Sequence, residues 1–199
     1  MAGDGKVTVK SGRSRFTLST LPAREFPSVE DGLGTHQFTL KQGQLRRLID
    51  RTGFAMAQQD VRYYLNGMFW EIKDGQLRVV ATDGHRLAKC SFHGSFKAID
   101  RDLIVPPKAL NQVVRLAEGQ DTVNLTVSKN FAVFEVGTTT VYSRLIDGNF
   151  PNYEQVIPKD SPRTVKIPRE ELVGALRRIS VLSDNVTRQI KVGLKPERV

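Results

Sequence analysis

The hydrophobic pattern of the chain repeats one local arrangement three times. A short apolar segment, predicted to be a β-strand, runs directly into a segment whose leucines recur at helical spacing. The three apolar segments lie at residues 38–40, 103–105 and 165–167. Pro106 and Pro168 favour the first position of the second and third helices, where a backbone N–H has no helical partner. The pattern therefore predicts three strand-to-helix connections.

The residues after the first two helices predict a three-stranded meander in each case. Runs rich in β-branched and aromatic residues cover 61–72, 77–81 and 87–92 in the first set, and 123–127, 131–136 and 139–145 in the second. Asp74-Gly75 and Asp83-Gly84 separate the runs of the first set, and such dipeptides favour tight hairpins. Each repeat is thus a strand, a helix and three further strands. Residues 6–21 predict one more hairpin.

The spacing of these features indicates a tandem repeat. Leu45, Leu110 and Leu172 anchor the three helices and lie 65 and then 62 residues apart, while residues 26–30 and 150–154 are similar across 124 residues. We therefore expect three domains along the chain: the end of a first domain in 1–33, a complete middle domain in 34–160, and the start of a third in 161–199. Two repeats in one domain predict an α+β fold with two helices on one face of antiparallel sheet.

Composition adds a charge imbalance to this picture. The 199 residues include 30 Lys and Arg against 21 Asp and Glu, a net charge of +9, and 39% are hydrophobic. That hydrophobic content excludes a disordered tail, and no apolar run reaches the roughly 18 residues of a membrane span. With no secretory signal pattern at the first residues and a single cysteine, Cys90, we expect a cytoplasmic protein without disulfides or contact with a membrane. The surplus of positive charge makes a polyanion the first partner to test.

The basic residues follow the predicted helices on a face separate from the apolar stripe. They recur at Arg47 and Arg51 in the first helix, Lys108 and Arg115 in the second, and Arg169, Arg177 and Arg178 in the third. Two interpretations remain open: ordinary solvated helix faces, or a continuous positive surface that contacts a nucleic-acid backbone without reading its sequence.

The sequence carries no motif that predicts catalysis, a cofactor or a metal site. It lacks a P-loop, a dinucleotide-binding glycine pattern, a His-Glu-x-x-His motif and paired cysteines. Asp83 and His85 are close in sequence and offer one acid–base alternative, an enzyme whose turnover is lost in His85→Ala. Because neighbouring residues of a turn point in different directions, and no nucleophile accompanies them, we expect no enzymatic activity.

Three motifs of the chain resemble the middle domain of the bacterial β sliding clamp, the processivity subunit of DNA polymerase III. They are Gln59-Asp60-Val61-Arg62-Tyr63-Tyr64-Leu65-Asn66-Gly67, Ala81-Thr82-Asp83-Gly84-His85-Arg86-Leu87-Ala88 and Asp147-Gly148-Asn149-Phe150-Pro151. Residues 14–22 are similar to the end of that family's first domain, and residues 180–183 fall where the first helix of its third domain ends. The resemblance implies the DNA-clamp fold in a fragment centred on the middle domain.

The resemblance also implies a function. It implies a homodimeric ring that encircles duplex DNA and tethers the replicative polymerase. It also implies a pocket that binds linear peptides of the polymerase, the clamp loader and repair proteins. The implied ring subunit has no catalytic activity of its own. We expect this polypeptide not to close a ring by itself. A static basic nucleic-acid-binding module, which does not recruit a polymerase, is the alternative that the charge pattern leaves open.

Site residues follow from the resemblance, position by position. It implies that the peptide is bound by Arg62, Leu65, Thr82, Gly84, His85, Arg86, Leu87, Pro151 and Val156. It implies DNA contacts from Gln59, Tyr63, Tyr64 and Lys108, which join Arg47 and Arg51 of the first helix. Pro107 and Gln155 depart from basic residues often found in the family. From the residues alone, the hydrophobic core is the favoured interpretation of Leu65 and Leu87. Adjacent tyrosines of a strand face opposite sides, so at least one of Tyr63 and Tyr64 is expected to be packed inside.

Overall fold

The structure, a computed structural model, describes residues 2–3, 5–25, 36–94, 96, 102–183 and 190–193. The chain divides into two compact units, Met1–Pro151 and Asn152–Val199. The strands are β1 (Ala2–Gly3), β2 (Lys6–Ser11), β3 (Ser14–Ser19), β4 (His36–Lys41), β5 (Met68–Lys73), β6 (Gln76–Thr82), β7 (Leu87–His93), β8 (Leu103–Val105), β9 (Thr122–Val127), β10 (Phe131–Val136) and β11 (Thr139–Arg144). The helices are α1 (Gln42–Thr52), α2 (Pro107–Leu116) and, in the second compact unit, α3 (Arg169–Ser180).

The two strand–helix repeats of the first compact unit exchange their first strands. One four-stranded sheet has the order β11-β10-β9-β4 and the other β7-β6-β5-β8, and all neighbours are antiparallel. Each sheet therefore combines the meander of one repeat with the leading strand of the other. The α+β class is confirmed, with the antiparallel sheet divided into two hydrogen-bonded parts. A separate sheet, β1-β2-β3, contains the hairpin predicted over residues 6–21.

The helices form where the apolar spacing predicts them. In α1, Leu45, Leu48 and Ile49 are buried, and the side chain of Gln44 accepts a hydrogen bond of 3.1 Å from the backbone N–H of Lys41 at the helix start. The position predicted for the prolines is wrong by one residue. Pro106 and Pro168 precede α2 and α3 as cap residues, because their ψ angles of 143° and 124° are not helical.

One hydrophobic core joins both four-stranded sheets to α1 and α2. Trp70 from β5 and Phe134 from β10 are fully buried at its centre, with ring centroids 6.4 Å apart in an edge-to-face arrangement. Helix α1 contacts strands of both sheets and also contacts α2. The two helices are therefore neighbours on a shared core. No helix in the described part of the chain combines the length and the apolar composition of a transmembrane span.

The turns between strands follow their local chemistry. Asp74 and Gly75 adopt positive φ angles of 53° and 68°, which closes β5 and β6 with the tight turn that was predicted. Asp83-Gly84 differs, because the connection between β6 and β7 is a four-residue loop over residues 83–86. The hydrogen bonds of the Asp83 carboxylate, described below, favour that longer loop.

Two predicted strand segments are wrong. Residues 61–66 do not extend β5 but form a loop and a 3₁₀ turn, Tyr63–Asn66, because the Asn66 side chain closes this segment on itself. Residues 165–167 form no strand, since no strand of the described chain pairs with them. The similarity at residues 26–30 and the domain boundary expected at 33–34 lie outside the described residues.

Candidate functional site

The segment before β5 is closed by hydrogen bonds to one amide side chain. Asn66 accepts from the backbone N–H of Asp60 and donates to the Asp60 carbonyl, both at 2.9 Å. Leu65, only 2% exposed, anchors the same segment in the protein interior, and its carbonyl accepts from the N–H of Ala57 at 3.1 Å. These contacts fix the backbone from which Arg62 and Tyr63 reach the surface.

Arg62 connects this segment to the loop between β6 and β7. Its Nε and Nη2 atoms donate to the two carboxylate oxygens of Asp60 at 3.0 and 2.8 Å, and Nη2 also lies 3.4 Å from the carbonyl oxygen of Asp83. The hydrogen bonds from the side chain and backbone of Arg62 lower the pKa of Asp60 to about 2. Asp60 therefore stays ionised at neutral pH and holds the Arg62 guanidinium in place.

The 83–86 loop is organised around Asp83. Its Oδ1 atom accepts the backbone N–H groups of His85 and Arg86 at 2.9 and 3.0 Å, and Oδ2 accepts from Nε of Arg86 at 3.1 Å. The backbone hydrogen bonds from Arg86 and His85 are the main reason that the pKa of Asp83 is lowered. Thr82 closes the base of the loop, since its hydroxyl donates to the Arg86 carbonyl at 2.7 Å.

The Asp83 contacts argue against the acid–base alternative. A general acid–base pair needs the carboxylate to orient the imidazole of His85. Instead, Oδ1 of Asp83 accepts the backbone N–H groups of His85 and Arg86, and Oδ2 accepts from Nε of Arg86. In the described part of the chain, Asp83 shapes the loop and has no hydrogen bond with the imidazole.

Gly84 allows Arg62 to lie against the loop. Its φ angle is +88°, a conformation that favours glycine, and a Cβ atom built there would lie 3.2 Å from Nη1 and from Nη2 of Arg62. Gly84 is also one of the residues that the resemblance implies in peptide binding. In the structure, the Arg62 guanidinium lies beside Gly84. The absence of a side chain at Gly84 therefore makes room for this arginine.

The residues predicted to bind a peptide differ widely in exposure. Arg62, Gly84, His85, Arg86 and Pro151 are exposed, and Thr82 and Leu87 are half-buried. Leu65 is buried, as the core interpretation predicted, and it anchors the backbone segment that carries Arg62. Val156 is 69% exposed and lies in the second compact unit. The structure thus brings Arg62 into contact with the 82–87 segment, and the participation of Pro151 and Val156 stays a prediction.

The helices carry the exposed basic residues predicted to contact DNA. Arg47 and Arg51 of α1 and Lys108 of α2 are exposed, and none of them forms an ion pair with the described residues. Arg46 behaves differently, because its guanidinium lies 3.6 Å from Asp50 and 3.5 Å from Glu118. Neighbouring residues of α1 therefore differ. Arg46 is paired with carboxylates, whereas Arg47 and Arg51 form no ion pair with the described residues.

Gln59, Tyr63 and Tyr64 lie before β5, in the loop and the 3₁₀ turn. Gln59 is exposed with a φ angle of 57°. Tyr63 is 58% exposed and Tyr64 half-buried, and their rings meet edge to face at 6.0 Å. The strand predicted for these tyrosines is therefore wrong, and Tyr64 is the less exposed of the two. Tyr63 presents most of its ring to solvent beside Arg62.

The sequence reasoning missed the residues that position the site. Asp60 and Asp83 hold the two arginines, and Asn66 closes the segment between Asp60 and β5. A local signal was present in each case. Each aspartate stands two or three residues before an arginine, a spacing at which a short carboxylate side chain can also accept the following backbone N–H groups.

Comparisons with known proteins agree with this architecture. Residues 39–152 match the family model described as DNA polymerase III beta subunit, central domain. The chain is 49% identical over 191 residues to the beta sliding clamp of Pseudomonas aeruginosa, covering 95% of this chain and 52% of that protein. It is 41% identical over 188 residues to the beta sliding clamp of Escherichia coli strain K12, covering 94% of this chain and 51% of that protein.

Solved structures give the same result. A crystal structure of the Pseudomonas aeruginosa DNA polymerase sliding clamp with ligand has a TM-score of 0.82 and 48% identity, covering 93% of this chain and 51% of that one. The Caulobacter crescentus beta sliding clamp has a TM-score of 0.82 and 38% identity, with the same coverage of 93% and 51%. The chain thus spans about half the length of these relatives. Because the central-domain match covers more than half of this chain, the protein belongs to the DNA polymerase III beta subunit family.

Proposed function

We propose that this protein is a DNA sliding clamp subunit, a processivity factor that encircles duplex DNA. The observation that carries the proposal is the set of unpaired, exposed cations on the adjacent helices α1 and α2: Arg47, Arg51 and Lys108. Such residues attract phosphates through counterion release and do not read bases, so the contact tolerates movement along the duplex. Exposed Gln59 and Tyr63 and half-buried Tyr64 are proposed as further DNA contacts.

The ring explains how weak contacts can serve replication. A closed ring keeps DNA threaded by its topology, and a polymerase bound to that ring stays at high effective concentration near the primer end.

We place the complete middle domain at residues 34–160, between the end of a first domain in 1–33 and the start of a third in 161–199. The full-length protein is proposed to act as a homodimer. The protein is proposed to be non-catalytic and to act in the cytoplasm, where a bacterial chromosome is replicated.

The second part of the proposal is a peptide-binding surface. Arg62 and the 82–87 segment form its core, with Pro151 and Val156 as further contacts. The replicative polymerase, the clamp loader and repair proteins are the proposed ligands. Two arginines held in place by carboxylates offer hydrogen bonds to peptide oxygens, and half-buried Leu87 offers an apolar contact. In support, a related Pseudomonas aeruginosa clamp has been solved bound to griselimycin.

We expect Leu87→Ala and Pro151→Ala each to weaken binding of a fluorescent Gln-Leu-apolar-apolar peptide by about 10-fold, since each removes apolar contact area from the ligand. Fluorescence anisotropy measures the affinity. Leu18→Ala on β3 is the matched control, because this leucine is 54% exposed and lies outside the proposed surface. Its affinity should equal that of the wild type, and circular dichroism checks that every variant is folded.

Two results would contradict the peptide proposal. One is equal affinity for wild type and both site variants, and the other is an equal loss in Leu18→Ala. If no peptide binds while duplex DNA still does, the static basic module becomes the better account. The cations of α1 and α2 would be sufficient for that function without any polymerase recruitment.

A further inference from the structure

Phe54 is an exposed aromatic residue next to the 83–86 loop. It lies in the 3₁₀ turn Gly53–Ala55 that follows α1, and it is 61% exposed. The next residue, Ala55, is fully buried and packs against Ala81 and Ala88, which flank the loop on β6 and β7. The burial of Ala55 therefore anchors the turn and keeps the Phe54 ring at the edge of the loop.

The Phe54 ring contacts the guanidinium of Arg86. The Arg86 Cζ atom lies over the ring, 5.8 Å from its centroid, which is within the range of a cation–π interaction. The Nε atom of the same guanidinium donates to Asp83 at 3.1 Å. Arg86 is thus held by a carboxylate and by an aromatic face. Its two terminal nitrogens have no hydrogen-bond acceptor among the described residues.

We propose that Phe54 is a positioning residue of the peptide-binding surface. Together with Asp83, it holds the Arg86 guanidinium so that the two terminal nitrogens are available to a carbonyl or carboxylate oxygen of the ligand. A planar arginine fork suits such oxygens and can bind a carboxylate through two parallel hydrogen bonds. The inference rests on the proposed peptide-binding function of this surface and adds to it a residue that does not itself need to touch the ligand.

The physical reason is the cost of ordering a long side chain. Without the ring, Arg86 keeps a single side-chain anchor, the hydrogen bond from Nε to Asp83, and its remaining rotamers become accessible. Ligand binding must then immobilise the guanidinium, which lowers the affinity. Phe54→Tyr preserves an aromatic face and should preserve this effect. Phe54→Leu keeps an apolar side chain of similar bulk but removes the ring.

A double-mutant cycle tests the inference by peptide anisotropy. We expect Phe54→Leu to weaken binding of the peptide probe by about 3-fold, the range of an exposed cation–π interaction, and Phe54→Tyr to match the wild type. In an Arg86→Gln background, Phe54→Leu should cause no further loss, because the guanidinium that it positions is gone. Wild-type affinity for Phe54→Leu, or losses that simply add in the double variant, would overturn the inference.

A peptide-free measurement separates this inference from the function on which it depends. The Nε–H resonance of Arg86 should carry a ring-current shift from Phe54 in NMR spectra of the free protein. Phe54→Leu should remove that shift and Phe54→Tyr should keep it. If the wild-type chain binds no peptide, the proposed function fails. In that case the positioning of Arg86 by Phe54 is judged by the resonance alone, and an Arg86 signal that is unchanged in Phe54→Leu would overturn it.

Discussion

Phe134→Ala is expected to lower the free energy of unfolding of the first compact unit by about 3–5 kcal/mol. The side chain is fully buried in the middle of β10 and packs edge to face against Trp70. Its truncation removes apolar contact area and leaves a cavity between the two sheets, where the surrounding strands cannot collapse fully. Phe134→Leu should cause a smaller loss and keeps the comparison measurable if the alanine variant does not fold.

Urea denaturation followed by tryptophan fluorescence measures this loss. Trp70 is the only tryptophan in the chain, so its emission reports the core that contains Phe134. Phe54→Ala is the matched control, because it makes the same chemical change at a residue that is 61% exposed. Its cost should be about 0.5 kcal/mol. Equal losses of unfolding free energy at the two positions would contradict the hydrophobic core described between the two four-stranded sheets.

The triple variant Arg47→Ala, Arg51→Ala and Lys108→Ala is expected to flatten the salt dependence of duplex-DNA binding. If each side chain neutralises one phosphate, the slope of log affinity against log salt should change by about 2.7, since each contact contributes about 0.9. The effect should be equal for duplexes of different sequence, because backbone contacts carry no base information. Fluorescence anisotropy over a range of salt concentrations gives the slope.

Two controls separate position from total charge. The triple variant Lys6→Ala, Lys10→Ala and Arg13→Ala removes the same number of charges from exposed sites on the β2–β3 hairpin and should leave the slope almost unchanged. Arg46→Ala should also have little effect, since its guanidinium is already paired with Asp50 and Glu118. If the hairpin variant reduced the slope as much as the helix variant, net charge alone would account for DNA binding.

The parts of the fold that depend on neighbouring residues could be predicted from the sequence. The Asp74-Gly75 turn follows from two residues that tolerate positive φ angles, and the helices follow from apolar residues at helical spacing. The cap positions of Pro106 and Pro168 were missed by one residue, which is a matter of the backbone ψ angle alone. Local chemistry was sufficient for these elements.

The pairing of distant strands could not be predicted in the same way. The exchange of β4 and β8 between the two sheets joins residues far apart in sequence, such as Phe38 with Leu125, and nothing in either segment specifies its neighbour. The 3₁₀ turn Tyr63–Asn66 was mistaken for a strand because its tyrosines favour strands. The side-chain hydrogen bonds of Asn66 outweighed that preference.

For the site, the motifs located the residues but not the contacts that hold them. The ion pair between Arg62 and Asp60 is local, since the two residues are two positions apart. The contacts of Arg62 with the Asp83 carbonyl and with Gly84 are not local, because they depend on how two loops meet in space. The stacking of Arg86 on Phe54 is non-local for the same reason. The pairing of Arg46 with Asp50 follows the i,i+4 spacing of a helix, but its second partner, Glu118, comes from beyond the end of α2 and could not be found from local spacing.

We expect one domain to present two separate surfaces, the cationic faces of α1 and α2 for duplex DNA and the 82–87 segment with Arg62 for a peptide. Amide chemical-shift mapping of the ¹⁵N-labelled chain, titrated separately with a short duplex and with the peptide, distinguishes the two surfaces. The duplex should shift amides around Arg47, Arg51 and Lys108, and the peptide should shift those of residues 82–87. A duplex that shifts neither helix, or two ligands that shift the same amides, would contradict the account.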